Sequence, residues 1–443
     1  MRGRTSPSSS QSQRLVAAGA GKIEGRAALR RCPRAEAERQ LRPTRGLERL
    51  ERPASKRLLT SAATALRAAR KPAAGHGHSL GEKRKVAALV PLLLAWFAAQ
   101  ARDLPWRRTR DPYAIWVSEI MLQQTQVKTV IPYWERWLRE LPDVVALALA
   151  DGARLHKLWE GLGYYTRVRN LQRAAQQIVA QHDGKFPDRF EAVLTLPGIG
   201  RYTAGAICSI AFNQPTPIVD GNVARVLARV FGLRTEVTAK ETQDKLWALA
   251  TTLVGEAEAH AQRERTPVAA CSHLNQSLME LGAMICTPRA PACGACPLAA
   301  WCVAQKAGKP ERFPVKRARP PATARRVVAF VAERAGKYLV HQRPPGGVNA
   351  GLWEFPNVEV ASGKGAELSG KPLCTIKHSI TRYRITLEAL RVPPGQLPSA
   401  VRRAGGRWCG LADLEALAFT SAHRRIVRRL AEEVAARGHA PDV

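Results

Sequence analysis

Acidic residues are scarce in this chain of 443 residues, which contains 36 Asp and Glu against 69 Lys and Arg. A formal charge of +33 at pH 7 attracts polyanions, and nucleic acid is the leading candidate. Long apolar runs are missing, since the longest, residues 86–99, is broken by Pro91 and is too short to span a bilayer. The N-terminus also lacks the hydrophobic segment of a signal peptide. These absences argue against a membrane or secreted protein and predict a cytoplasmic one.

Cysteines arranged as disulfide pairs are missing too. Five of the nine cysteines are scattered singly along the chain, which does not fit a secreted disulfide scaffold. The other four lie in one stretch with gaps of six, two and five residues: Cys286, Cys293, Cys296 and Cys302. Such clustering indicates four thiolates around a metal centre. Because a zinc ribbon needs two pairs separated by a longer loop, the spacing favours an iron–sulfur cluster over zinc.

Residues 1–85 differ in composition from the rest of the chain. They hold 21 Lys and Arg against 6 Asp and Glu, a net charge of +15, and show no sustained apolar periodicity. This composition predicts a disordered basic extension. Three explanations stay open: a nonspecific nucleic-acid-binding arm, an organelle transit peptide, or a start codon assigned too far upstream. Nothing downstream requires the extension.

The pattern over residues 86–305 predicts a domain of successive helices. Pro91 suits a first helical turn. The apolar residues expected on one side of that helix are Leu92, Leu93, Trp96 and Phe97. The pair Asp111-Pro112 is typical of a helix N-terminus and predicts a second helix over residues 113–124.

The pattern changes after the cysteines. Residues 306–326 are basic and contain proline, as expected of a linker. Residues 327–437 then predict a smaller α+β domain with alternating, β-branched segments. The predicted strands are 327–331, 338–340 and 383–387, and the predicted closing helix is 419–437.

A glycine turn at residues 196–200 precedes a predicted helix. Gly198 and Gly200 permit a tight backbone with exposed amides, and the helix N-terminus adds positive potential. Such a turn can bind a phosphate group without reading base sequence. A plain corner between two helices fits the two glycines equally well.

Two acids are candidates for chemistry. Glu119 lies among the apolar residues Trp116, Ile120 and Leu122, which indicates partial burial, although a lone Glu on a helix is often solvated. Burial raises the pKa of a carboxyl group and makes it a proton donor near neutral pH. Asp220 precedes Gly221 and a predicted helix, where it suits an N-cap and, beside backbone dipoles, would stay ionised.

These segments, with Trp106-Arg107, residues 116–126, residues 161–165, Asp220-Gly-Asn222 and the four cysteines, resemble the MutY family of adenine DNA glycosylases. The resemblance covers residues 86 to about 435. It implies a mainly α helix–hairpin–helix glycosylase domain of the endonuclease III-like superfamily with an iron–sulfur loop, followed by a smaller α+β Nudix-like domain. It also implies one [4Fe-4S] cluster per chain, held by the four clustered cysteines.

The resemblance further implies a reaction. The enzyme would act in base excision repair as a monomer on double-stranded DNA with A:8-oxoguanine or A:G mispairs, in the bacterial nucleoid. Glu119 would protonate N7 of adenine, and Asp220 would stabilise or trap the oxocarbenium-like sugar. Asn222 and Tyr202 would hold Asp220 and the sugar. Tyr202 stands where the related lyases carry the Lys that forms a Schiff base, so a monofunctional enzyme that leaves an abasic site is expected.

Contacts with DNA are implied in the same way. Gln124 and Tyr164 match residues that fill or wedge the duplex, and Gly198 and Gly200 match the phosphate-binding hairpin. The residues matched to the surroundings of the extruded adenine are Trp106, Arg107, Leu122 and Gln276. In the C-terminal domain, Thr381 keeps the hydroxyl of a turn that contacts 8-oxoguanine, although its neighbours Ile380 and Arg382 depart from the family's Phe and His.

Three other functions stay open on the residues alone. An endonuclease III-like lyase is disfavoured by Tyr202, and a Nudix hydrolase is disfavoured because the glutamate cluster that binds magnesium is missing. A noncatalytic DNA-binding module would use the glycine turn and the basic extension without releasing adenine.

Overall fold

The computed structural model describes residues 80–266, 268–315, 317, 321–360, 372–380, 382–403 and 405–438. Residues 1–79, which make up most of the predicted basic extension, lie outside the described residues, as does Thr381. Within these ranges, no helix has both the length and the apolar character needed to cross a membrane.

The first part of the described chain consists of helices joined by short loops. They are α1 (Leu80–Gln100), α2 (Pro112–Leu122), α3 (Val127–Glu140), α4 (Val144–Leu149), α5 (Gly152–Leu158), α6 (Thr166–His182), α7 (Phe190–Leu194), α8 (Arg201–Phe212), α9 (Gly221–Phe231), α10 (Lys240–Glu264), α11 (Ala270–Met284) and α12 (Val303–Lys306). This agrees with the predicted series of helices.

Helix α1 corrects the predicted start of this region. It begins at Leu80, so Pro91 lies inside the helix rather than in its first turn. Its first turns are held in place because Lys85 Nζ donates to the carbonyl of Val230 at 2.7 Å. The buried side of α1 carries Val86, Leu89, Val90, Leu93 and Phe97. Leu92 is exposed, so its predicted place beside Leu93 was wrong.

Helix α2 lies between two hydrophobic clusters. Its N-terminus is capped as predicted, since the Asp111 carboxylate accepts hydrogen bonds from the amides of Tyr113 and Ala114. Ile115 belongs to a cluster formed largely by α1, α9, α10 and α11, whereas Trp116 belongs to one formed with α3, α6 and α8. Because both sides of α2 are covered, even Glu119 is buried.

The second part of the described chain is a mixed sheet with three helices. The strands are β1 (Thr323–Arg334), β2 (Lys337–Gln342), β3 (Trp353–Glu354), β4 (Asn357–Val360), β5 (Cys374–Ile380), β6 (Tyr383–Val392) and β7 (Arg407–Cys409), and the helices are α13 (Ser399–Arg403), α14 (Leu411–Ala416) and α15 (Ser421–Gly438). The strand order is β3-β2-β1-β6-β5, with β4 also paired to β1 and β7 to β2.

The pairing of β1 with β6 is parallel, and the other strand pairs are antiparallel. The three predicted strands correspond to β1, β2 and β6, and the predicted closing helix corresponds to α15. Strands β3, β4, β5 and β7 were not predicted; β3 and β7 have only two or three residues, too few to show alternation. One face of the sheet packs on α15 through a cluster that includes Phe355, Phe419 and Ile426.

Candidate active site

A cavity of about 700 Å³ opens among α2, α8, α9 and α11, and we call it the central cavity. Its volume is in the range of roughly 300–1,000 Å³ that is usual for ligand sites. Eleven residues singled out from the sequence line it: Trp106, Arg107, Glu119, Leu122, Gln124, Gly198, Gly200, Tyr202, Asp220, Asn222 and Gln276. Tyr164 lies outside the lining, and Thr381 lies outside the described residues.

Glu119 projects from α2 and is only 6% exposed. Burial raises the pKa of this carboxyl to about 7, because the ionised form loses solvation; the hydroxyl of Tyr202 opposes the rise, and the charge of Asp220 adds to it. The burial expected from the flanking apolar residues is therefore confirmed. Near neutral pH the group is poised to give or take a proton.

Tyr202 occupies the first turn of α8 and differs from its expected contact. Its hydroxyl donates to Oε2 of Glu119 at 2.7 Å and lies 3.2 Å from Sδ of Met279. The expectation that Tyr202 holds Asp220 is thus corrected, because the hydrogen bond goes to the other acid. Burial raises the pKa of Tyr202 well above its usual value, so the phenol keeps its proton and acts as a donor.

Asp220 is the N-cap of α9 and also lines the central cavity. One carboxylate oxygen accepts from the amide of Val223 at 2.7 Å, and the other accepts from Nδ2 of Asn222 at 3.0 Å. The pKa of Asp220 is raised above its usual value, because the effect of burial outweighs the lowering by these two hydrogen bonds. Asp220 can therefore cap α9 and line the cavity at the same time, because the cap fixes one carboxylate oxygen and the carboxylate remains at the cavity wall.

A buried arginine, Arg225, connects Asn222 to the cysteine-rich loop. Its Nη2 donates to Oδ1 of Asn222 at 2.8 Å and to the carbonyl of Gly282 at 2.6 Å, while Nε donates to the carbonyl of Cys286 at 2.7 Å. A Cβ at position 282 would lie 2.6 Å from Cβ of Asn222, so the close approach of α11 requires glycine. Arg225 was not singled out from the sequence.

Arg107 is fixed at the cavity wall by an ion-pair network. It donates to Oε2 of Glu280 at 3.0 Å and to Oε1 of Gln276 at 3.1 Å. Burial alone would raise the pKa of Glu280, but hydrogen bonds from Arg102 and Arg107 outweigh it and lower that pKa to about 2. Glu280 therefore stays ionised and holds two guanidinium groups in place.

The glycine turn precedes α8 as predicted, and Gly198 and Gly200 are both exposed. Gly198 has a φ of +78°, and a Cβ there would lie 2.6 Å from Asn170. Both the backbone conformation and the close packing therefore require glycine at position 198. Gly198 and Gly200 thus line the central cavity at the N-terminus of α8, beside Tyr202.

The four clustered cysteines line one pocket beside α9 and α11, and none of the four forms a disulfide bond. Arg229 Nη1 donates to Sγ of Cys286 at 3.2 Å and to the carbonyl of Thr287 at 2.7 Å. In the described part of the chain, no three His, Cys, Asp or Glu side chains are placed to hold a single metal ion. Four thiols around one pocket, with a guanidinium beside them, fit a cluster whose irons are bound by separate thiolates.

Comparison with protein families gives three matches along the chain. Residues 117–251 match the HhH-GPD superfamily of base excision DNA repair proteins. Residues 286–302 match the iron-sulfur binding domain of endonuclease III. Residues 327–429 match the NUDIX domain. Along the chain, these three matches coincide with the helical part, the cysteine-rich loop and the mixed sheet, respectively.

Similar proteins extend across both parts. The chain is 34% identical over 421 residues to the adenine DNA glycosylase of Rattus norvegicus, which covers 79% of this chain and 79% of that protein. It is 33% identical over 423 residues to the adenine DNA glycosylase of Homo sapiens, which covers 79% and 75%. A solved thermostable thymine-DNA glycosylase, 29% identical, covers 51% of this chain and 98% of its own with a TM-score of 0.45. The chain belongs to the adenine DNA glycosylase (MutY) family, the DNA N-glycosylases of base excision repair that remove adenine and carry a [4Fe-4S] cluster.

Proposed function

We propose that this enzyme hydrolyses the N-glycosidic bond of adenine mispaired with 8-oxoguanine or guanine and leaves an abasic site in double-stranded DNA. The observation that carries the proposal is that Glu119 and Asp220, from separate stretches of chain, line the same cavity with different hydrogen-bond partners. Paired acids whose environments differ are the usual arrangement for one proton donor and one charge stabiliser. The enzyme acts as a monomer in this proposal.

Glu119 is the proposed acid. Adenine leaves poorly as an anion, and protonation at N7 makes it a neutral leaving group. With its pKa raised to about 7 by burial, a substantial fraction of Glu119 carries a proton near neutral pH. Tyr202 holds the carboxyl through Oε2, which supports one fixed orientation towards the base. After the base has left, the ionised Glu119 can accept a proton from the attacking water.

Asp220 is the proposed stabiliser of the sugar. Departure of the base leaves an oxocarbenium-like centre at C1′, which an ionised carboxylate stabilises or traps. The amide of Val223 and the side chain of Asn222 hold Asp220 in place. Because Arg225 fixes Asn222 in turn, the carboxylate is positioned before substrate arrives.

The adenine must leave the base stack before it reaches these acids. We assign Trp106, Arg107, Leu122 and Gln276 to the walls around the extruded base, all of which line the central cavity. Gln124 and Tyr164 fill the vacated space in the duplex, and the turn at Gly198 and Gly200 holds a phosphate. Thr381 is assigned to the base opposite adenine.

The reaction is proposed to stop at the abasic site. Tyr202 stands where the lyases carry their Schiff-base lysine, and a phenol cannot form an imine. Among the described residues that line the central cavity there is no lysine. We keep as part of the proposal a glycosylase domain at residues 86–305, a linker at 306–326 and a Nudix-like domain at 327–437, although helix α1 already begins at Leu80 and strand β1 at Thr323.

A single assay series tests the proposal. Purified protein is incubated in excess with duplexes that contain A:8-oxoguanine, A:G or an oxidised pyrimidine. We expect adenine release from the first two, strand breaks only after alkali, and no adduct on borohydride reduction. Release from the pyrimidine duplex alone, or a trapped protein–DNA adduct, would instead assign a lyase, and binding without release would assign a noncatalytic DNA-binding protein.

A further inference from the structure

Two exposed residues have an unusual backbone: Gln124, which lines the central cavity, and Tyr164, which lies outside its lining. Gln124 follows α2 with a φ of +57°, and Tyr164 precedes α6 with a φ of +49°. Neither is a glycine, so this left-handed conformation is unfavourable and persists only where surrounding contacts impose it. Tyr164 is also 48% exposed, so little packing of its own side chain holds it. Both loops therefore need an external constraint.

Arg167 supplies a constraint on the loop of Gln124. It lies in the first turn of α6 and is only 8% exposed. Its Nη1 donates to the carbonyls of Ile120, Met121 and Gln123 at 2.8, 3.0 and 2.7 Å. Ile120 and Met121 belong to the last turn of α2, whose carbonyls have no partner within the helix. The guanidinium thus closes the end of α2 and fixes the residue immediately before Gln124.

The other nitrogen of Arg167 holds the loop of Tyr164. Its Nη2 donates to the carbonyls of Leu162 and Gly163 at 2.9 and 3.0 Å. The guanidinium also lies over the ring of Trp159 at 5.2 Å and over the ring of Tyr164 at 5.5 Å. One planar group therefore joins two loops that are far apart in the sequence.

The guanidinium of Arg167 is suited to joining the two loops, and the proposed mechanism gives Arg167 no other role. Burial lowers the pKa of Arg167 to about 10, so it remains charged at neutral pH, and the dipoles of several carbonyls stabilise its charge. A lysine has one nitrogen and cannot reach both loops from the same place, whereas the planar fork of arginine donates in two directions.

We propose that Arg167 is a positioning residue for base extrusion: it holds the loops of Gln124 and Tyr164 together in the conformation that enters the duplex. The inference rests on the proposed function, which assigns those two side chains to the space left by the adenine. Arg167 does not touch the reacting atoms. Its loss affects the step in which the base leaves the stack, and it leaves the acid chemistry of Glu119 intact.

The test compares Arg167→Lys with wild type. A duplex with 2-aminopurine at the target position reports extrusion as a rise in fluorescence. We expect the extrusion equilibrium and the single-turnover rate of adenine release to fall roughly tenfold, which corresponds to the loss of charge-assisted hydrogen bonds. The pH dependence of the rate should stay as in wild type. Arg173→Lys is the matched control, since Arg173 is an exposed residue on the same helix and should change neither quantity.

Hydrogen exchange of the free protein provides a second measurement that needs no activity. Arg167→Lys should speed exchange at residues 122–126 and 161–165, while α8 and α11 keep their protection. Wild-type extrusion in the variant, or exchange that rises uniformly across the helical part, would overturn the inference. If wild-type protein releases no adenine from any duplex, the proposed function fails, and the exchange data still decide whether Arg167 holds the two loops.

Discussion

The hydroxyl of Tyr202 donates a hydrogen bond of 2.7 Å to Oε2 of Glu119, and the half-buried Tyr202 and the buried Glu119 both line the central cavity. Burial raises the pKa of Glu119, while this hydrogen bond favours the ionised form and lowers it. Burial and this phenol are therefore the two largest influences on the resulting pKa of about 7, to which the charges of Asp220 and Arg107 add smaller, opposing effects. Tyr202 thus lowers the pKa of the carboxyl group to which the proposed function assigns proton transfer.

Tyr202→Phe should move the pH dependence of adenine release. Without the phenol the ionised form of Glu119 loses a donor, so its pKa rises by about one unit, the value of one hydrogen bond to a charged group. Because Glu119 is the proposed acid, the rate should fall as pH rises through its pKa, and the variant should keep its rate to higher pH. Single-turnover rates across a pH series measure this. Tyr113→Phe, which removes a buried hydroxyl bonded to Leu141, should leave the descending limb in place.

Glu119→Gln should abolish most of the activity without abolishing DNA binding. General acid catalysis contributes typically about 10²–10⁴ in rate, and glutamine cannot supply the proton. Single-turnover release from an A:8-oxoguanine duplex and a binding isotherm with the same duplex measure the two properties. Glu135→Gln, at an exposed site on α3, is the matched control. A Glu119→Gln variant that works near the wild-type rate would remove this residue from the mechanism.

The same substitution should raise the stability of the protein at alkaline pH. The folded-state pKa of about 7 is above the ordinary value of 4.5, so the folded protein binds this proton more tightly than the unfolded chain does. Stability from this group is complete below about pH 4.5 and is lost as pH rises towards 7, at a cost of roughly 3 kcal/mol. Urea unfolding at about pH 8 should therefore show Glu119→Gln to be more stable than wild type, with a smaller difference at about pH 5. Equal differences at the two pH values would contradict the raised pKa.

Substitutions at Asp220 separate its capping role from its charge. Asparagine caps helices about as well as aspartate, so Asp220→Asn should unfold at nearly the wild-type denaturant concentration and still lose adenine release. Asp220→Ala removes the cap as well and should cost about 1 kcal/mol of unfolding free energy. Denaturant unfolding and single-turnover rates on the same preparations distinguish the two effects. Release by Asp220→Asn at the wild-type rate would mean that the cap, and not the charge, is what the reaction needs.

Features that depend on neighbouring residues in the chain could be predicted from the sequence. The burial of Glu119 follows from its apolar neighbours, and the caps at Asp111 and Asp220 follow from residue type and the helix that comes next. The start of α1 was missed, because the basic residues before Val86 resemble the extension in composition although they are part of the helix. A composition boundary is thus a poor guide when a helix is anchored by residues distant in the chain, as Lys85 is by Val230.

The arginines show what could not be predicted. Arg167 and Arg225 are two of the 69 basic residues, and nothing in their immediate neighbours distinguishes them from solvated ones. Each role depends on at least one carbonyl more than forty residues away in the sequence, which only the packed helices bring close. The partner of Tyr202 was mistaken for the same reason, since both acids lie within reach of α8 and only the tertiary structure selects Glu119.

An ion pair between the two parts of the chain gives a last prediction. Arg424 on α15 donates to both carboxylate oxygens of Glu160, at 2.8 and 3.2 Å, and the amide of Phe419 donates to Oε1 at 2.9 Å. Glu160 immediately precedes the glycine loop of Tyr164, and the side chains of Glu160 and Arg424 are 14% and 8% exposed. Removing Arg424 therefore leaves a largely buried carboxylate whose remaining ion-pair partner is Lys157, at 2.9 Å.

Arg424→Met should lower the unfolding free energy by up to about 3 kcal/mol, because Glu160 loses its more deeply buried partner and keeps only Lys157. Adding Glu160→Gln should recover part of that loss, because the second change removes the stranded charge. A double-mutant cycle from urea unfolding measures the coupling. Arg429→Met is the control, since Arg429 pairs with Glu432 at an exposed site and should cost less than about 1 kcal/mol. Strictly additive losses would mean that the contact between α15 and the loop of Tyr164 is held by packing rather than by this pair.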